Sequence, residues 1–255
     1  MTAARSYLFL IFQALSVIFL TVLCLPVLLF GQDAVRNFAK FWARLNLHAL
    51  RMITGIDYVV EGTEHIPQDG CIVACNHQSM FETLALFAEL PKPVIIFKQE
   101  LLNIPLFGAW IKAAGNVAID RKGGATALRT MRNATRNAVA NGGQVVVFPE
   151  GTRVKPGETK KFQSGIAGLY KTAGSICAPI AHDSGRFWIF PGHEKRPGVV
   201  TLRFLPSIAP GLEKRAFLQK VQTTIEDGRP DLAPQRANPQ DKREPTTRQE
   251  ATTHA

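Results

Sequence analysis

Residues 6–32, "SYLFLIFQALSVIFLTVLCLPVLLFGQ", contain no charged side chain. The apolar part runs for about 23 residues, roughly what a helix needs to cross the hydrocarbon core of a bilayer. It is longer than the usual apolar core of a secretory signal peptide, and no small-x-small cleavage site precedes the next charged stretch. Pro26 and Gly31 leave a second geometry open, a bent segment held in one leaflet. Over residues 33–55 the period becomes helical: Val35, Phe38, Phe41, Trp42, Leu45, Ala49 and Met52 share a face, with cations opposite. This pattern predicts an amphipathic helix packed on a domain, on a membrane surface, or on both.

Beyond residue 55, short apolar runs alternate with helical patterns. "IDYVVEG", "CIVAC", "PVIIF", "QVVVFP", "ICAPIA" and "VVTLRFL" read as strands, and helices are expected to start near Ser79, Ile104, Gly124, Phe162 and Lys214. Such alternation predicts an α/β fold with a mixed, mostly buried sheet flanked by helices, preceded by an N-terminal hydrophobic membrane helix. The expected organisation is a membrane-anchoring segment over 1–54, a catalytic-type domain over 55–226 and a disordered polar tail over 227–255. The tail is rich in Pro and polar residues and nearly free of large apolar ones, so it lacks the material to offset the entropy of ordering.

Charge refines this picture. The 255-residue chain carries a net charge of +10, and from Glu226 onward five Lys/Arg face six Asp/Glu, so the excess belongs to the folded part. A basic surface favours anionic partners such as acidic lipid headgroups, phosphorylated substrates or nucleic acid. No basic motif interleaved with aromatics supports nucleic acid. Only Arg5 precedes the apolar segment, whereas Arg36, Lys40, Arg44 and Arg51 follow it, which places the following domain on the cytoplasmic side of the inner membrane. Cys24, Cys71, Cys75 and Cys177 have no zinc spacing and read as small apolar residues, so no metal is expected.

The chain contains no GxxxxGK[ST], GxGxxG, HExxH or GxSxG, which argues against P-loop, dinucleotide, zincin and α/β-hydrolase chemistry. What remains is "CNHQSMFETL". The run Cys71–Cys75 delivers His77 to a C-terminal strand edge, where open α/β sheets place ligand sites. Glu82 follows five residues later. Within one helix residues five apart diverge by about 140°, so His77 meets Glu82 only if it lies in the turn before the helix. A carboxylate on one imidazole nitrogen frees the other to take a proton. Ser79 and Glu82 equally fit a capping box, in which the glutamate merely starts the helix. "VVVFPEGTR" ends a second strand with Glu150, Gly151, Thr152 and Arg153; the glycine permits close backbone approach and the arginine offers a fork of donors to a phosphate. The alternative is a surface turn with an ion pair. Arg121, closing "GNVAIDR", and Lys98, after "PVIIF", are further cations that either bind phosphate or sit in solvent.

The blocks "NHQSMFE", "GNVAIDR", "FPEGTR" and "CAPIAHDSG" together resemble the 1-acylglycerol-3-phosphate acyltransferases, the PlsC-like glycerolipid acyltransferases, over roughly residues 56–205. The family's H-x4-D pattern carries Glu82 at its acidic position here. The resemblance implies that His77 is the general base and Glu82 its orienting partner. Glu150, Gly151, Thr152 and Arg153 would shape the acceptor site, Arg153 and Arg121 would hold the phosphate with Lys98 beside them, and Pro179 would form a wall of the site. It further implies transfer of an acyl group from acyl-CoA or acyl carrier protein to lysophosphatidate at the bilayer, giving phosphatidate, with no cofactor. The alternatives are acylation of another lysolipid such as lyso-ornithine lipid, hydrolysis, and a non-catalytic membrane lipid-binding protein.

Overall fold

The computed structural model describes residues 2–104, 106–119 and 124–232. Two helices come first, α1 (Thr2–Leu23) and α2 (Gln32–Thr54), joined by a 3-10 turn over Leu25–Phe30. Pro26 occupies the start of that turn, where its fixed φ and missing N–H suit a tight helical turn but end the α-helix before it. The apolar stretch is therefore broken after Leu23. Gly55 closes α2 in the left-handed conformation with φ 76°, and its N–H returns to Arg51 O at 2.9 Å, the usual role of a glycine after a helix.

The rest alternates strand and helix: β1 (Ile56–Glu61), β2 (Cys71–Cys75), α3 (Phe81–Glu89), β3 (Pro93–Lys98), α4 (Phe107–Ala113), β4 (Val117–Ile119), α5 (Gly124–Ala140), β5 (Gln144–Val147), α6 (Gly165–Ala173), β6 (Cys177–His182), β7 (Gly198–Phe204) and α7 (Lys214–Gly228). The seven strands form one sheet in the order β1-β7-β6-β2-β5-β3-β4. Only β6 and β7 pair antiparallel; the other neighbours are parallel. Adjacent parallel strands β6, β2 and β5 therefore end at the same edge, which brings residues 76–82, 148–153 and 182–184 together.

Side-chain alternation explains the layers. In β2, Cys71, Val73 and Cys75 join the core beneath α1, α2 and α3, while Ile72 and Ala74 join the core beneath α6 and α7. All five are buried, as expected of a strand covered on both faces. The six strands read from the sequence are present. β4 is not among them: its three residues form the short apolar run of "GNVAIDR", which was read for its arginine and not as a strand.

The first 54 residues are not a separate unit. Along α1, Ser6, Phe9 and Ser16 are buried. Phe9 meets Trp188 edge-on at 5.6 Å, Trp42 Nε1 donates to Ser16 Oγ at 3.1 Å, and Trp110 Nε1 donates to Thr21 O at 3.2 Å. At the other end, the chain expected to leave the fold at residue 227 stays in it. Gly228 and Arg229 are buried, and the Arg229–Asp231 pair is almost wholly enclosed. Residues 233–255, the rest of the expected tail, lie outside the described residues.

Burying a whole phenyl ring between Trp188 and the core predicts that Phe9→Ala costs about 3 kcal/mol or more. Urea unfolding of the detergent-solubilised variant measures the loss, whereas an equally large substitution at exposed Leu15 should leave stability within about 0.5 kcal/mol.

Candidate active site

The turn between β2 and α3 is built around one carboxylate. Glu82 is fully buried, yet its Oε1 accepts from His77 Nδ1 at 2.6 Å and from the Gln78 and Ser79 amides, each at 2.9 Å. Its Oε2 lies 2.9 Å from the hydroxyls of both Ser79 and Ser184. Those hydroxyls are 2.8 Å apart, so two protons are shared among three short contacts. Ser79 Oγ also accepts the Phe81 amide at 3.0 Å. The capping reading holds in part: Glu82 accepts the Ser79 amide as expected, but Met80 rather than Ser79 stands at the N-cap of α3. Glu82 also holds His77, which lies before the helix.

Burial opposes ionisation of Glu82, but the neighbouring His182 and His77 rings and the Ser79 amide outweigh it and hold the pKa well below the ordinary glutamate value. His182 is itself fully buried, and burial lowers its pKa. Its Nε2–H donates to Asn76 O at 2.7 Å while its Nδ1 accepts the Ser184 amide at 3.2 Å, the pattern of a neutral ring. The low pKa of Glu82 accordingly rests on hydrogen-bond donors rather than on a second full charge.

An ionised Glu82 can only accept, so the proton in the 2.6 Å bond belongs to His77 Nδ1. His77 Nε2 then carries a free lone pair, with no partner among the described residues. The ring stacks on Phe148 at 4.2 Å with an 18° interplanar angle. Its backbone is fixed as well: His77 N–H donates to Glu150 Oε1 at 3.2 Å, and His77 O accepts the Val154 amide at 2.8 Å. A positioned imidazole with one free nitrogen is suited to remove a proton from a hydroxyl.

His77 lines a cavity of about 440 Å³ with Phe148, Gly151, Thr152, Arg153 and Phe190. Gly151 has φ 72°, a left-handed turn that a side chain would strain, and it swings the loop so that residues 151–153 face the cavity. The Arg153 guanidinium lies 4.5 Å from the Phe190 ring centroid, and its buried Nε has no partner.

Several expected site residues stand elsewhere. Glu150 is absent from the cavity lining: it is buried, its Oε1 supports the His77 amide, and its Oε2 has no partner. Burial pushes its pKa up to about 7. Lys98 is half-exposed at the end of β3, paired with Glu100 at 2.9 Å, and does not reach the cavity. Pro179 is no wall of the site. It is buried within β6 opposite Ala74, and its carbonyl accepts the Leu205 amide. Arg121 lies outside the described residues.

Sequence reasoning missed His182, Ser184 and Asn76. The Asn76 amide bridges both backbone groups of His182, at 3.0 Å each. The three residues lie in the blocks "NHQSMFE" and "CAPIAHDSG", at the ends of two apolar runs, but the pairing of Asn76 with His182 across 106 residues matters only once β2 and β6 are known to be neighbours.

Residues 57–183 match the family model described as Acyltransferase. The chain is 32% identical over 213 residues to the 1-acyl-sn-glycerol-3-phosphate acyltransferase of Pseudomonas aeruginosa, covering 82% of each protein. It is 32% identical over 198 residues to the alpha 1-acyl-sn-glycerol-3-phosphate acyltransferase of Mus musculus, covering 76% of this chain and 68% of that protein. Its fold matches the crystal structure of the 1-acyl-sn-glycerophosphate acyltransferase PlsC from Thermotoga maritima, with a TM-score of 0.75 at 22% identity over 89% of this chain and 96% of that one.

Because the folded pKa of Glu82 lies below its unfolded value, its stabilisation is complete above the ordinary glutamate pKa and fades as pH falls through the folded one. Glu82→Gln, which puts an amide among donors, should therefore lower unfolding free energy by about 1–3 kcal/mol at pH 7, with the deficit shrinking below about pH 4.5 in denaturation curves recorded across pH. With this geometry and these relatives together, the chain belongs to the family of the 1-acyl-sn-glycerol-3-phosphate acyltransferases.

Proposed function

We propose that the protein acylates the free 2-hydroxyl of 1-acylglycerol 3-phosphate, giving phosphatidate. The observation that carries this is the bond of His77 Nδ1 to the buried carboxylate of Glu82, which leaves Nε2 unpartnered, with His77 and Arg153 lining one cavity. His77 Nε2 takes the hydroxyl proton as the oxygen attacks the thioester carbonyl of acyl-CoA or acyl carrier protein. The tetrahedral adduct collapses with expulsion of the thiolate, which recovers the proton from Nε2. The His77 imidazolium formed in between is stabilised by the ionised Glu82 on Nδ1, and Arg153 holds the acceptor phosphate by paired donors. Glu150 serves from beneath by fixing the His77 backbone, while Gly151 and Thr152 form the floor where the acceptor lies.

The lipid substrate reaches this site from a membrane that α1 touches without crossing. α1 is the single helix among the described residues long and apolar enough to span. Its inner face, however, is tied to the domain near both ends: Ser6 Oγ accepts the Lys195 amide at 2.9 Å, and Thr21 O accepts from Trp110. A helix upright in the bilayer would submerge the domain packed along it. Its outer face exposes Leu8, Ile11, Leu15, Ile18 and Phe19, and Leu29 and Phe30 of the following turn are 86% and 74% exposed, a stripe that suits a helix lying in the interface of the inner membrane's cytoplasmic leaflet. An apolar pocket of about 160 Å³ lined by Val17 and Leu20 of α1, Trp42 of α2 and Met80, Thr83 and Leu84 around the start of α3 takes an acyl tail from that surface to within a few residues of His77.

Membranes carrying the wild type should convert labelled 1-oleoylglycerol 3-phosphate to phosphatidate with one of the two thioester donors. His77→Ala should lose about 10²- to 10⁴-fold in rate, and Arg153→Ala should raise the apparent KM for the acceptor above all. Label released as free fatty acid would instead identify a hydrolase, and product with lyso-ornithine lipid alone would move the acceptor. In a separate test of topology, cysteines placed at Thr2 and at Gly31 should both react with an impermeant maleimide added from the cytoplasmic side; labelling of one from each side would establish a span.

A further inference from the structure

α7 ends at Gly228 because Pro230 follows. The residue before a proline is driven out of the helical region, and Arg229 adopts φ −76°, ψ 119°. The chain turns on itself, with the Leu232 amide returning to Arg229 O at 3.2 Å, and the side chains of Arg229 and Asp231 meet in two bonds: Nε to Oδ1 at 3.1 Å and Nη2 to Oδ2 at 2.6 Å. Their side chains are only 4% and 2% exposed.

This buried pair does not end with itself. Asp231 Oδ2 also accepts from Gln78 Nε2 and from the Gly157 amide, both at 2.9 Å. Arg229 Nη1 donates to Glu158 O at 2.9 Å. Gln78, the neighbour of His77, accepts the Gly185 amide on its Oε1 at 3.0 Å. Gly157 and Glu158 belong to the arm that leaves Arg153, whose near end is fixed by the Val154 amide on His77 O. Three bonds from the pair thus tie one segment after α7 to the turn after β2 and to the arm after β5. A buried carboxylate and guanidinium are costly to enclose unless fully bonded, and the bonds that satisfy them are to the two loops of the site rather than to the core.

We propose that Arg229 and Asp231 are positioning residues for the acyl-acceptor site: they fix the arm over residues 154–158, and with it Arg153, relative to His77. Binding the acceptor phosphate then needs no ordering of the loop, so the pair acts on acceptor affinity more than on the chemical step. The ion pair also holds the Asp231 pKa below its ordinary value although burial works against it, so the tie persists throughout the neutral range.

The proposal rests on the acylation of lysophosphatidate argued above. Its test compares full-length wild type, Asp231→Ala, Asp231→Asn, Arg153→Ala and Asp231→Ala/Arg153→Ala in the phosphatidate assay, together with hydrogen exchange of the 151–160 amides. Asp231→Ala should raise the acceptor KM about tenfold, with kcat and the donor KM within about threefold. Asp231→Asn, which keeps an acceptor oxygen for Gln78 and Gly157, should recover part of that loss. The double variant should bind the acceptor no worse than Arg153→Ala, because a misplaced arginine and a missing one cost the same interaction, and the Gly157 amide should exchange faster in Asp231→Ala. An unchanged acceptor KM, a fall in kcat and thermal stability alone, or additive losses in the double variant overturns the positioning role. A wild type that makes no phosphatidate overturns the acceptor assignment instead, and the two failures are told apart by that control.

Discussion

The fold has to accommodate a negative charge with no access to water. Glu82 sits at the start of α3 with its carboxylate fully enclosed, and a carboxylate in that position is tolerable only if its lone pairs are met by donors. The donors are His77, Gln78 and Ser79 from the turn after β2, and Ser184 from the end of β6. That requirement explains why the sheet places β6 next to β2 and why both strands end at the same level. The Asn76–His182 exchange of three hydrogen bonds clamps the strands where the ladder stops. The geometry at His77 follows from the same constraint, since one donor of the set is an imidazole whose other nitrogen has no partner among the described residues.

The glutamate at the acidic position matters to this arrangement. Its side chain must reach backward over the first turn of α3 to His77 Nδ1 while its second oxygen meets Ser184 in the turn that follows β6. A side chain one methylene shorter starts farther from both. The Ser79–Ser184 hydroxyl pair, 2.8 Å apart, fills the space between α3 and β6 and lets the far oxygen be bonded from outside the turn. The pair with His77 is thus held by contacts whose members are 102 residues distant along the chain.

That distance marks where sequence reading ends. The buried strands were legible because runs such as "CIVAC" and "QVVVFP" are apolar at consecutive positions, and α2 because its apolar stripe repeats at the helical period. His77 and Glu82 were legible because the bond between them is local, across a single turn. Ser184 and His182 were not, because a serine and a histidine after an apolar run acquire their roles only from the neighbour β6 is given. Pro179 was placed in the site wall by the resemblance alone, whereas here it lies inside β6 and its carbonyl, not its absent N–H, makes the bond to Leu205. Arg229 and Asp231 were hidden by composition. "GRPDLAP" looks like the polar segment that follows it, and nothing local distinguishes a charged pair destined for burial from two solvated side chains.

The same contrast accounts for the N-terminus. Hydropathy alone reports that α1 avoids water on most of its surface; it does not report that Ser6, Phe9 and Ser16 spend one face on the protein. Once that face is committed to Trp188, Asn46 and Trp42, the apolar surface left over is a stripe along the helix rather than a cylinder. A stripe is satisfied by lying along an interface and a cylinder by crossing it. That stripe and the sheet edge that carries His77 are joined through α2 and α3, since α2 packs on both α1 and α3.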